Sequence, residues 1–139
     1  MDKNKTIKEI YNIHFELENV AEKDRCSMNE WYSNLINKTY NQLDLFDVTR
    51  MIIQKLFLEM AIAKAVTYIE INPFCGQRYE GELIELLSML DVSNLYDYKN
   101  RIMRVLISTL DKNKNYNWLC EEDRSEFNEI LDNFLKNIR

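Results

Sequence analysis

Two pairs of carboxylates stand three residues apart, Glu82-x-x-Glu85 and Glu129-x-x-Asp132. On a helix that spacing puts both acids of a pair on one face, where they can hold Mg²⁺ for phosphate hydrolysis. No group of Lys and Arg stands beside either pair to grip phosphates. A carboxylate-based Mg-dependent phosphohydrolase is therefore the enzyme alternative and not the leading reading. The sole histidine, His14, lies in an apolar stripe with no Ser or Cys at a useful spacing, so it lacks the partner a general base or nucleophile needs. The three cysteines, Cys26, Cys75 and Cys120, are far apart in sequence. A zinc site would need all three with His14, whereas zinc ligands usually come in close pairs. No catalytic residue, metal site or cofactor is expected, and this cysteine usage fits a reducing compartment with no disulfide framework.

Charge is more informative. Between Leu119 and Leu135 stand Glu121, Glu122, Asp123, Glu126, Glu129 and Asp132, against Arg124 alone. Six acids less one base equal the formal net charge of −5, so the rest of the chain is neutral. Acids in a first helical turn complement the helix dipole, which accounts for Glu121 to Asp123. Glu126, Glu129 and Asp132 carry the strip further along the helix. Such a strip suits a basic protein partner by steering encounter and selecting register, and these six residues are the candidate binding surface. The eight tyrosines fit a contact surface too, since Tyr joins large area to a polar tip. A negative chain is a poor ligand for nucleic acid, whose binding rests on Lys and Arg.

The elements that must position these groups are helices. The 139 residues, 46% apolar and 29% charged, suit one globular domain spanning 1–139. Only two Gly and one Pro occur, too few for a turn-rich β fold or a glycine-rich nucleotide loop. Thr6-x-x-Glu9 reads as a capping box before a stripe of Ile7, Ile10, Tyr11, His14 and Leu17, and Ser27-x-x-Glu30 as a second, before Trp31, Tyr32, Leu35 and Ile36. Asp47 is placed to cap a long third helix of about two dozen residues. Its stretch from Met51 to Ile71 is interrupted by Lys55, Glu59, Lys64 and Glu70, which favours a central buried helix over a membrane span. The polar N-terminus, with no apolar run behind it, does not read as a signal peptide. Every Gly and Pro lies between Pro73 and Gly81, the one emphatic break. A fourth helix then carries Leu83, Leu86, Leu87 and Leu90. Ser93 is placed to cap a fifth with Leu95, Tyr98, Ile102, Val105 and Leu106, and a polar turn from Asp111 to Asn117 leads to a last helix with Phe127, Ile130, Leu131, Phe134 and Ile138. The expectation is an all-α, single-domain bundle of about six helices with a long central helix, its neighbours mostly antiparallel.

From Leu45 to Leu90 the chain resembles an all-helical family of immunity proteins of bacterial contact-dependent growth inhibition systems. The resemblance rests on Asp47-Val48-Thr49-Arg50-Met51-Ile52-Ile53-Gln54, the apolar run Leu56 to Ile71, Asn72-Pro73-Phe74, and Tyr79-Glu80-Gly81-Glu82-Leu83-Ile84. Its most specific part is Tyr79 to Leu83 at its distance from Asn72-Pro73. The chain departs from the family pattern in having no proline within Ala61 to Ala65, which implies a straighter long helix, and in carrying Glu82 where Asp is usual. The resemblance implies a cytoplasmic antidote, with no enzymatic activity, that binds the C-terminal toxin domain of a cognate secreted protein. Such toxins are often nucleases with basic surfaces. It also implies that Arg50, Gln54, Asn72, Pro73, Tyr79, Glu80, Gly81 and Glu82 form a family motif, read here as scaffold because immunity proteins vary most where they touch their toxins. A monomer before complex formation is expected, with no nucleic acid and no membrane as partner. The binding-module alternative is a helical adaptor or regulatory subunit of another bacterial complex.

Overall fold

A computed structural model describes all 139 residues. It is all-α, with seven α-helices joined by loops and four 3-10 segments and no strand. The chain divides into two compact units, residues 1–47 and 48–139.

In the first unit, α1 (Ile7–Ile10) starts on the expected capping box: Thr6 Oγ1 accepts from the Glu9 amide while the Glu9 carboxylate accepts from the Thr6 amide. The stripe expected to continue through Tyr11, His14 and Leu17 does not form. Asn12 takes a positive φ of 53° and the Ile13 amide donates back to Lys8 O at 3.0 Å, the signature of a Schellman end. His14 is consequently an exposed residue in an irregular segment. α2 (Ser27–Ile36) begins one residue earlier than its expected box: the cap is Cys26, whose thiol donates to Asn29 Oδ1 at 3.1 Å, and Ser27 is already helical. Trp31, Leu35 and Ile36 are buried, as is Ile7.

α3 (Leu45–Gln54) is capped by Asp44 and not by Asp47. The Asp47 amide donates to Asp44 Oδ1 at 2.8 Å and the Asp44 amide donates to Asp47 Oδ2 at 3.2 Å, a reciprocal box built from two aspartates. Asp47 is buried and also accepts from the Trp31 indole at 3.2 Å and the Lys38 ammonium at 2.6 Å. This one carboxylate therefore ties α2, the following loop and the start of α3 together.

The second unit corrects the long central helix. The run expected to be continuous and straight is two helices, α3 and α4 (Leu58–Ile71), broken at Lys55 to Phe57 without any proline. Lys55 has φ 55° and Phe57 φ 48°. The Lys55 amide donates to Ile52 O at 3.2 Å and the Leu56 amide to Met51 O at 2.8 Å. Those two bonds are the paired closures of a Schellman motif, with a lysine in the left-handed position that glycine usually fills. α4 remains the buried centre of its unit: Met60, Ala61, Ile62, Ala65, Val66 and Ile69 are all inaccessible, and it packs against α5 (Glu82–Ser88), α6 (Lys99–Asn113) and the 3-10 segment Val92–Tyr98. That 3-10 segment takes the place of the first turns expected of the fifth helix, and Asp91 rather than Ser93 caps it, accepting from the Ser93 amide at 3.1 Å.

α6 runs to Asn113, so the polar turn starts later than expected and leads into α7 (Glu121–Ile138). The two helices pack along each other as a hairpin. Its closed end is tied by the buried Asn113: the side-chain amide donates to Arg124 O at 3.1 Å, its backbone carbonyl accepts from the Arg124 guanidinium, and its Oδ1 accepts from the Trp118 indole at 2.7 Å. No helix is long and apolar enough to cross a membrane.

Candidate functional site

The loop between α4 and α5 is built from the inside out. Asn72 is extended (φ −145°, ψ 101°), as a residue before proline must be, and its Oδ1 accepts from the Phe74 amide at 3.0 Å. Phe74 O then accepts from the Gly81 amide at 2.8 Å, which closes the loop. The residues between are wrapped around Glu82. Its carboxylate is fully buried; Oε1 accepts from the Gln77 and Arg78 amides, both at 2.9 Å, and Oε2 from the Arg78 guanidinium. The Arg78 guanidinium is held more basic than usual by that bond. With its oxygens taken in this way, Glu82 has no free face for Mg²⁺, so the Glu82/Glu85 pair does not form the metal site weighed from spacing.

Two glycines are required by this geometry. A Cβ on Gly76 would lie 1.8 Å from Tyr79 O. Gly81 has φ +82°, and a Cβ there would lie 2.6 Å from the Phe127 ring of α7. The bare Gly81 backbone thus lets the loop sit directly on α7. Beside it, Phe74 stacks on Tyr116 with centroids 3.7 Å apart, and Trp118 stands edge-on to Tyr116 at 5.1 Å and 5.4 Å from Phe127. The Tyr116 hydroxyl donates to Glu80 and the Tyr79 hydroxyl to Glu85 Oε1 at 2.6 Å. Burial first and the carboxylate second push each tyrosine up to about 12. Burial likewise pushes the Cys75 thiol up to about 11.

Between this loop and α7 opens a cleft of about 720 Å³. Tyr79, Glu80, Gly81 and Glu85 line one side; Asp123, Glu126, Phe127 and Ile130 of α7 line another; Trp118 and Leu119 complete the lining. Two groups of residues that looked unrelated in sequence, the motif at 79–81 and the acidic strip, thus share one concave surface.

The family model of CDI (contact-dependent growth inhibition) immunity proteins matches residues 9–105. The chain belongs to the CDI immunity proteins. Among curated proteins no match is found. The matched span of this CDI immunity protein contains the whole loop of residues 72–81 and ends before α7.

The strip residues divide by their surroundings. Asp123 and Glu126 face the cleft. Glu121 pairs with Arg124 at 3.0 Å, and so supports the hairpin tie. Asp132 accepts from Asn128 at 3.4 Å, while Glu122 and Glu129 are exposed. The other motif residues lie apart from the cleft: Arg50 is half-buried within α3, Gln54 ends that helix exposed, and Pro73 is buried behind the loop. Sequence reasoning missed Tyr116, Trp118 and Leu119. Their signal was available, because three large side chains within four residues of a polar connection are out of place unless something holds or meets them. Leu119 is fully exposed.

Proposed function

We propose that this CDI immunity protein is a cytoplasmic antidote that binds the C-terminal toxin domain of its cognate secreted protein one-to-one. In this reading the toxin is a nuclease with a basic substrate-binding surface, and blockade is by occlusion. Residues 1–139 act as a single immunity domain, monomeric before the complex forms and with neither nucleic acid nor a membrane as partner. The observation that carries the reading is the run of six carboxylates from Glu121 to Asp132 on α7, two of which also line a cleft with an aromatic floor. Acids on one helix supply the field that steers a basic partner, and a concave apolar centre supplies the desolvated contact that slows its release.

Co-expression with the toxin domain encoded immediately upstream tests this. The chain should restore growth and co-purify with the domain in a 1:1 complex, and Glu126→Lys with Glu129→Lys should slow association and flatten its salt dependence. A folded, toxic domain that is neither bound nor neutralised would contradict the reading.

A further inference from the structure

The cleft beside Gly81 is more selective than a charged helix face. Its walls hold four carboxylates, Glu80, Glu85, Asp123 and Glu126, and the sole cation lining it is Arg78, whose charge is already matched by buried Glu82. Asp123 and Glu126 have no ion-pair partner in the chain. Glu80 and Glu85 each accept one tyrosine hydroxyl, which fixes the carboxylate while leaving its negative charge and second oxygen. The floor is aromatic, from Trp118 and Phe127, and the fully exposed Leu119 stands at the mouth. The four acids line one concave surface beside an apolar floor, so an entering cation meets their summed field and gains more here than on the open face of α7.

From this we infer that the cleft is the anchor site for a basic surface segment of the partner toxin domain, led by an arginine whose guanidinium enters between Asp123, Glu126 and the Glu80/Glu85 side and lies against Trp118. The inference rests on the proposed function for the existence of that partner and adds the place and chemistry of the anchor. Arginine fits better than lysine for two physical reasons. Its planar fork can bond carboxylates on more than one side at once, and its weakly hydrated face stacks on an indole. The cleft exceeds a single side chain in size and falls in the range of sites that enclose a whole ligand, so neighbouring residues of the segment enter with the arginine and meet Leu119. The four carboxylates exceed what one guanidinium neutralises, which calls for a segment with further positive charge. The tyrosines have a positioning role: Tyr79 and Tyr116 orient Glu85 and Glu80 from the loop side while α7 holds the other two acids.

Two isosteric double variants separate this anchor from the general field of the helix. Asp123→Asn with Glu126→Gln removes charge inside the cleft; Glu122→Gln with Glu129→Gln removes the same charge from the exposed face. All four side chains lie on the surface of one helix, and unchanged thermal unfolding checks that both variants fold. Binding is measured by surface plasmon resonance against the upstream-encoded toxin domain. The cleft pair should weaken binding by roughly 10- to 100-fold with a faster dissociation rate, and the outer pair by no more than about 3-fold, through association alone. Leu119→Ala should also raise the dissociation rate. Equal effects of the two pairs, or no effect of the cleft pair on dissociation, would overturn the anchor while leaving the immunity reading intact. Absence of wild-type binding would overturn the immunity reading itself.

Discussion

Gly81 and Glu82 are neighbours in sequence and hold the loop by opposite means, one by lacking a side chain and the other by burying a charged one. Gly81→Ala would force a Cβ against the Phe127 ring at a positive φ. Left-handed strain and overpacking together should cost about 2–4 kcal/mol, read as a lowered urea midpoint. Glu82→Leu should cost about 3 kcal/mol, because it leaves the Gln77 and Arg78 amides without their acceptor and unties the loop, whereas Glu82→Gln keeps an acceptor and should lose roughly a third of that. Alkaline pH tests the two tyrosines. Tyr79 and Tyr116 are raised from 10.0 to about 12 in the folded chain, so the unfolded chain loses these protons first. Their contribution is complete below about pH 10 and is lost as pH climbs towards 12. The unfolding midpoint should fall over that window, and Tyr79→Phe with Tyr116→Phe should flatten the fall. The thiols should separate by the same logic: Cys26 and Cys120 are exposed, while the half-buried Cys75 is pushed up to about 11. A disulfide reagent near neutral pH should modify the first two well before Cys75.

At the scale of elements, the sequence was readable where a helix's own residues end it and opaque where the rest of the fold does. The Asn-Pro break after α4, the apolar face of α7 and the start of α1 are local chemistry, and all appear as expected. The break between α3 and α4 was not legible, because lysine and phenylalanine occupy left-handed positions that neither prefers. A periodic apolar run gives no warning when packing imposes such a turn. Lys55→Gly should therefore stabilise the chain by about 0.5–1 kcal/mol, by removing the left-handed penalty at an exposed site. A calorimetric melting point that rises would support the Schellman end; a fall would mean the lysine side chain contributes more than its backbone costs. The tight loop before α5 was legible from the Asn-Pro pair and Gly81, and it lies where they stand. It was not legible that Tyr79 and Glu80 would also form a wall facing Asp123 and Glu126, since that juxtaposition depends on how α5 and α7 pack over some forty intervening residues.

For the whole molecule, the net charge of −5 conceals a division between neighbouring helices. α6 carries Lys99, Arg101, Arg104 and Lys112 against Asp111, while α7 carries the six acids against Arg124 and Lys136. A chain so divided presents one strongly negative element, which is the condition for steering a basic partner to one place rather than to the protein at large. The most direct measurement is a calorimetric titration of the purified chain into the catalytically inactivated toxin domain encoded upstream, at low and at high salt. The expected result is a stoichiometry of about one, a dissociation constant of about a nanomolar or below, and an affinity that falls as salt rises. No binding to a folded toxin domain, or tight binding wholly indifferent to salt, would contradict recognition through an acidic surface.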